Sequence, residues 1–147
     1  KILSADRSVL QNNPERVNIA ILGMRGEDDP NGGLLSDTIM IASIKPKENK
    51  LALISIPRDL YIKIPHSKQM RKINYTYAFG QTRDKNGMQY MKEALKNVTG
   101  LDIHYAISVN FEAFKQIIDT LGGITVHVPR ALSETTQWQG RPFYIPA

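Results

Sequence analysis

Thr38-Ile39-Met40-Ile41-Ala42-Ser43-Ile44 and Leu51-Ala52-Leu53-Ile54-Ser55-Ile56 are joined by the polar run Lys45-Pro46-Lys47-Glu48-Asn49-Lys50. Two apolar segments of strand length around a short polar turn predict an antiparallel pair over residues 38–56. Upstream, Val17-Asn18-Ile19-Ala20-Ile21-Leu22 is a similar run closed by Gly23. Near-continuous apolar character, rather than alternation, predicts strands covered on both faces.

Downstream the period changes. Met88, Met91, Leu95 and Val98 recur at helical spacing behind Asn86-Gly87 and ahead of Gly100, which predicts an amphipathic helix with a glycine stop. Residues 104–109 read as a strand and Asn110 as an N-cap. Phe111, Phe114, Ile118 and Leu121 form a second helical stripe ended by Gly122-Gly123. Ile124, Val126 and Val128 then alternate with Thr125 and His127 until Pro129, which predicts a last strand. Strands interleaved with helices, with a hairpin among them, predict an α/β domain: a three-layer α-β-α sandwich with a mixed central sheet. Residues 1–16 are a polar lead-in, and 17–147 are expected to be a single domain.

Composition narrows the class. The 147 residues are 41% hydrophobic and 22% charged, with scattered Gly and Pro, which excludes disordered, collagen-like and coiled-coil chains. No cysteine is present, so disulfides, zinc–thiolate sites, iron–sulfur clusters and a Cys nucleophile are all excluded. A net charge of +5 favours an anionic partner, although neither a recognition-helix pattern nor interleaved aromatics point to nucleic acid. No stretch approaches the roughly 18 apolar residues of a membrane span. The chain starts with Lys, so an upstream targeting or anchoring segment is an expectation.

Two loops combine charge with special backbone residues. Residues 23–37 gather Glu27, Asp28, Asp29 and Asp37 among four glycines, a composition that suits either a hard cation such as Mg²⁺ or a solvated acidic turn. Asp37 stands apart because it directly precedes an apolar strand, where a charge needs a partner or a metal. The second loop, Ser55-Ile56-Pro57-Arg58-Asp59-Leu60-Tyr61, sets Arg58 at a strand tip. Its planar fork suits phosphate, or alternatively an ion pair with Asp59 that closes the loop. Lys63, Lys68, Arg71 and Lys72 follow with no acid among them, either as a solvated face or as recruits to an anion site. His66, His104 and His127 are too dispersed for a metal site, and Ser36, Ser55 and Ser108 have no nearby His/Asp arrangement; all six read as structural.

Five blocks carry a resemblance. Asn18-Ile19-Ala20-Ile21-Leu22-Gly23, Ser36-Asp37-Thr38-Ile39-Met40, Ser55-Ile56-Pro57-Arg58-Asp59, Lys72-Ile73-Asn74 with Tyr77-Ala78, and Val109-Asn110-Phe111-Glu112-Ala113-Phe114 with Asp119-Thr120-Leu121-Gly122-Gly123-Ile124 resemble the LytR-CpsA-Psr family in order and spacing. That resemblance implies a catalytic domain outside the cell membrane, bacterial and anchored by an N-terminal helix. It implies transfer of a glycopolymer, such as wall teichoic acid or capsule, from a polyprenyl-pyrophosphate carrier to peptidoglycan, assisted by Mg²⁺. Asp37 would be a metal-linked or acid/base carboxylate, with Glu27, Asp28 or Asp29 as second ligand. Arg58 would clamp the pyrophosphate and Lys72 would face its phosphates. Met88, Met91, Phe111 and Phe114 would be candidate walls of a lipid-tail tunnel, with ordinary core packing as the plainer role for each. Competing readings are a polyprenyl-pyrophosphate pyrophosphatase and a non-catalytic binding regulator.

Departures are specific. The family's Asp two residues after the first strand's glycine is Arg25 here, and its Arg before the Ser-Asp pair is Leu35, which removes one phosphate contact. The Arg-rich block expected after the last strand is absent, so the domain is expected to lack its C-terminal portion.

Overall fold

A computed structural model describes residues 15–26, 29, 33–134 and 143–147. The chain falls into two compact units, Lys1–Phe114 and Lys115–Ala147, where the sequence predicts one domain over 17–147. Every buried side chain among the described residues belongs to the first unit.

In that unit β1 (Val17–Gly23), β2 (Thr38–Lys45) and β3 (Lys50–Ser55) precede a small hairpin of β4 (Tyr61–Lys63) and β5 (Met70–Lys72). Helices α1 (Thr76–Asp84) and α2 (Gly87–Thr99) and strand β6 (Tyr105–Val109) follow. Helix α3 (Phe111–Thr120) runs across the division between the units. The main sheet has the order β3-β2-β1-β6. It is mixed as expected: β1 pairs antiparallel with β2 and parallel with β6, and β2 with β3 forms the predicted hairpin.

Register explains the core. Ala20 opposes Ile41 and Leu22 opposes Ile39, so all four side chains share one face of the sheet. Against them pack Ile73, Tyr77, Met91 and Leu95 from the helical layer, together with Ile103. Leu22, Met91 and Leu95 have no exposed surface, and each such burial is worth about 1.5–3 kcal/mol. On the opposite face of the sheet Leu51, Leu53 and Ile107 are 62%, 58% and 48% exposed, so among the described residues the expectation of strands covered on both faces holds for one face.

Helices α1 and α2 approach through two glycines. A Cβ on Gly80 would stand 2.5 Å from Tyr90 Cγ, and one on Gly87 would stand 2.7 Å from the Tyr77 carbonyl oxygen. Gly100, in left-handed backbone, closes α2 as read from the sequence. Asn110 Oδ1 accepts a 2.8 Å hydrogen bond from the Ala113 N–H and caps α3, also as read.

The second unit holds the end of α3 and a hairpin of β7 (Leu132–Glu134) and β8 (Phe143–Ile145). Residues 124–128, expected as a strand from their alternation, form none. Alternation assigns side chains to two sides, but a strand exists only with a hydrogen-bonded neighbour. Ile124 and Val126 are accordingly 66% and 67% exposed. Among the described residues no helix is long and apolar enough to cross a membrane.

Candidate functional site

The charged loops meet at one end of the main sheet. Strands β1 and β6, being parallel, end together at Gly23 and Val109, while β2 starts there and β3 ends there. Sites of open α/β sheets form outside the carboxyl ends of their strands, and the loop residues here converge on that rim.

Backbone hydrogen bonds fix the rim. The Asp37 N–H donates to the Gly23 carbonyl at 2.8 Å and the Ile56 N–H to the Ile39 carbonyl at 2.9 Å. A tight turn follows, closed by the Leu60 N–H on the Pro57 carbonyl at 3.0 Å, which projects Arg58 and Asp59. The Lys72-Ile73-Asn74 segment ties both loops together. The Asn74 carbonyl accepts from the Ser36 N–H at 3.1 Å, and the Asn74 N–H donates to the Arg58 carbonyl at 3.2 Å. Asp37 and Arg58, far apart in sequence, are thus hung from one short segment.

Their side chains form the centre. Arg58 Nη1 donates to Asp37 Oδ1 at 2.6 Å, while Arg25 Nε stands 4.0 Å from Asp37 Oδ2. Arg25 Nη1 also lies 3.7 Å from Asp29 Oδ2, so Arg25 sits between two carboxylates. Lys72 Nζ donates to Asp59 Oδ1 at 2.6 Å, and Arg58 Nε is 3.8 Å from Asp59 Oδ2. The Lys72 hydrogen bond, reinforced by the charges of Lys72 and Arg58, holds the Asp59 carboxyl below the ordinary carboxylate range. Arg58 and Lys72 remain 52% and 58% exposed, so their side chains stay open to solvent.

Of the residues singled out from sequence, the fold brings together Asp37, Arg58, Lys72 and Asp29, with Arg25, read as a departure, and Asp59, read as an ion-pair partner of Arg58, beside them. Glu27 and Asp28 lie outside the described residues. The tunnel candidates are not gathered. Met91 is fully buried in the core and Met88 packs against it, whereas Phe111 and Phe114 are 67% and 55% exposed, outside any core packing. Their stripe gives α3 an apolar face, but amphipathicity states that a face exists and not what meets it. His66 pairs with Glu93 at 2.6 Å, His104 Nδ1 accepts the Asn18 N–H at 3.0 Å, and His127 is exposed. Ser36 is buried, while Ser55 and Ser108 are exposed on their strands.

The donor set bears on Mg²⁺. Among the described residues no three His, Cys, Asp or Glu side chains gather as a metal cage. Magnesium is commonly held by one or two carboxylates completed by substrate phosphates, and Asp37 satisfies that smaller requirement. Asp37, whose Oδ1 already accepts from Arg58, is the carboxylate that would hold such an ion.

A mixed sheet whose rim pairs two arginines and a lysine with three aspartates defines the class: an α/β domain with a charged loop cluster at one end of its sheet. The chain belongs to the LytR_cpsA_psr family, whose model matches residues 2–144. It is 36% identical over 128 residues to the polyisoprenyl-teichoic acid–peptidoglycan teichoic acid transferase TagU of Bacillus subtilis, covering 87% of this chain and 39% of that protein. To the protein of the same name from Oceanobacillus iheyensis it is 40% identical over 119 residues, covering 81% of this chain and 36% of that one. The crystal structure of B. subtilis TagU superposes with a TM-score of 0.58 at 31% identity, over 90% of this chain and 51% of that chain. The chain therefore spans well under half the length of the curated relatives it matches.

Proposed function

We propose that this chain carries the pyrophosphate-binding part of an enzyme that transfers a glycopolymer from a polyprenyl-pyrophosphate carrier to peptidoglycan, at the extracytoplasmic face of a membrane to which it is anchored. The observation that carries the reading is the Arg58–Asp37 pair at 2.6 Å on the rim of the sheet, flanked by Arg25 and Lys72. The relatives' teichoic acid transferase activity supports it.

The chemistry needs what this rim offers. An acceptor sugar hydroxyl attacks the phosphorus next to the glycopolymer, and the new phosphodiester forms as the bond to polyprenyl phosphate breaks. Negative charge grows on the leaving phosphate. Preorganised cations aimed at that charge lower the barrier, and Arg58 is suited to it because a guanidinium donates two parallel hydrogen bonds and stays protonated. Lys72 adds a second positive charge on the same side. Asp37 holds the Arg58 fork in place and offers a carboxylate to the attacking hydroxyl's proton or to Mg²⁺. When bound, that ion supplies charge neutralisation at the phosphate oxygens.

Calorimetry with a short-chain polyprenyl pyrophosphate analogue tests the clamp. Arg58→Lys keeps the charge and loses the fork, so affinity is expected to fall about tenfold or more. Asp37→Asn is expected to abolish Mg²⁺-dependent turnover with little change in melting temperature, since an exposed ion pair is worth at most about 1 kcal/mol. Polyprenyl phosphate release that requires added peptidoglycan marks transfer, and equal release without it marks hydrolysis. Unchanged affinity in Arg58→Lys and Arg58→Ala overturns the assignment.

A further inference from the structure

Beyond the rim, the β4–β5 hairpin and helix α2 flank an open cleft of about 560 Å³. In an antiparallel pair directly opposed residues share a face. Tyr61 opposes Lys72 and Lys63 opposes Met70, so these four line one face of the hairpin and Arg71 points to the other. Tyr61, Lys63 and Met70 form one wall of the cleft, Asn97 and Val98 of α2 form the other, and fully buried Ile64 lies at its floor. Its tip is fixed: the His66 carbonyl accepts from Arg83 Nη1 at 3.1 Å, and His66 Nε2 meets Glu93 at 2.6 Å.

Charge and shape together choose the occupant. From Leu60 to Lys72 the chain has no acidic residue. Lys63, Lys68 and Arg71 make no ion pair among the described residues, in contrast to Lys72 on Asp59. Tyr61 and Met70 are 60% and 47% exposed, so apolar faces alternate with unpaired cations along a concave wall. The cleft also begins where the rim ends, because the residue opposite Tyr61 is Lys72.

We propose that this cleft seats a phosphodiester-linked polyol or sugar chain, an anionic polymer running outward from the transferred phosphate. The inference rests on the phosphotransfer reading above. Carbon–hydrogen faces of the polymer pack on Tyr61 and Met70, its phosphates meet Lys63 in the cleft and Lys68 on the adjoining β4–β5 loop just outside its lining, and Asn97 hydrogen-bonds its hydroxyls. A membrane surface is the poorer fit, because a flat bilayer is met by protruding apolar groups, whereas these line a hollow with a buried floor.

The test is calorimetry of the full chain at low salt with a glycerol phosphate hexamer. A neutral chitin hexasaccharide and vesicles containing phosphatidylglycerol serve as comparison probes. The hexamer is expected to bind and the neutral sugar to bind far more weakly. Lys63→Gln combined with Lys68→Gln is expected to lower hexamer affinity about five- to tenfold, and Tyr61→Ala to lower it as well. Lys63→Arg is expected to restore it, and Lys47→Gln, on the distant β2–β3 turn, to change nothing. The polyprenyl pyrophosphate analogue is expected to bind the Lys63/Lys68 variant normally. Unchanged hexamer affinity in that variant overturns the cleft, as does an equal loss in Lys47→Gln, equal binding of the neutral sugar, or Lys63-dependent vesicle binding without hexamer binding. If the analogue does not bind while the hexamer keeps its Lys63 dependence, the phosphotransfer reading falls and the cleft stands.

Discussion

Asp59 is adjacent to Arg58 in sequence, yet Arg58 makes its short contact to Asp37 and leaves Asp59 to Lys72. The turn after Pro57 is the cause, since it projects neighbouring side chains in different directions while β2 delivers Asp37 to the same rim. Lys72 hydrogen-bonds the Asp59 carboxylate and holds its pKa below the ordinary carboxylate range. For a carboxyl lowered on folding, the pair's contribution is present above the unfolded carboxylate range and is lost as pH falls through the lowered folded value. A ¹³C carboxyl NMR titration is expected to place the Asp59 midpoint below that of an ordinary aspartate and Lys72→Gln to move it upward. A midpoint indifferent to Lys72 removes the pair. Position singled out Asp37 and Arg58 as candidates, and the family resemblance added Lys72. The Arg58–Asp59 pairing was offered by adjacency and is present at 3.8 Å, but the shorter Arg58–Asp37 and Lys72–Asp59 pairs were not readable, because pairing depends on where a turn aims its side chains. Arg25 shows the same limit: as a departure it looked like a missing ligand, and the fold puts its guanidinium between Asp29 and Asp37.

Elements with a strong period were legible and elements held by a single contact were not. Helix α2 and the β2–β3 hairpin follow from apolar spacing and turn chemistry. Helix α1 does not, because its sequence is mostly polar and contains Gly80, a residue that ordinarily weakens a helix by about 1 kcal/mol relative to Ala. Its reason lies across the interface, where Tyr90 fills the space a Cβ would need. Gly80→Ala is therefore expected to destabilise despite its better helix propensity, because overpacking costs about 1–3 kcal/mol and exceeds the propensity gain. At roughly 2–4 °C per kcal/mol for a chain of this size, the melting temperature is expected to drop by several degrees. An unchanged or raised melting temperature would show that α1 and α2 separate easily, and with them the wall of the cleft. The β4–β5 hairpin was equally hidden: its cations read either as a solvated face or as recruits to an anion site, and only cross-strand pairing shows that Lys63 and Lys72 share a face with Tyr61.

At the scale of the whole molecule, burial is unevenly distributed, and stability follows it. Among the described residues most fully buried side chains lie in β1, β2, α1 and α2 or in the segments that join them, and the charged rim is suspended from the strand ends by backbone hydrogen bonds. Residues 115–134 bury none, and 124–128 belong to no strand. Amides over a packed core exchange only through rare, near-global openings, whereas those without buried contacts exchange through local ones. Hydrogen–deuterium exchange read by mass spectrometry is expected to show the slowest uptake in peptides covering residues 17–22, 39–43 and 90–95 and the fastest over 124–131. Arg58 and Asp37 hang from the slow region, so addition of a pyrophosphate analogue is expected to slow exchange at 36–38 and 56–60 without altering 124–131. Protection of 124–131 equal to that of β1 would mean that this segment is hydrogen-bonded in solution, against its exposure here. Protection gained there on adding the analogue, with none at 56–60, would move the phosphate site away from the rim of the sheet.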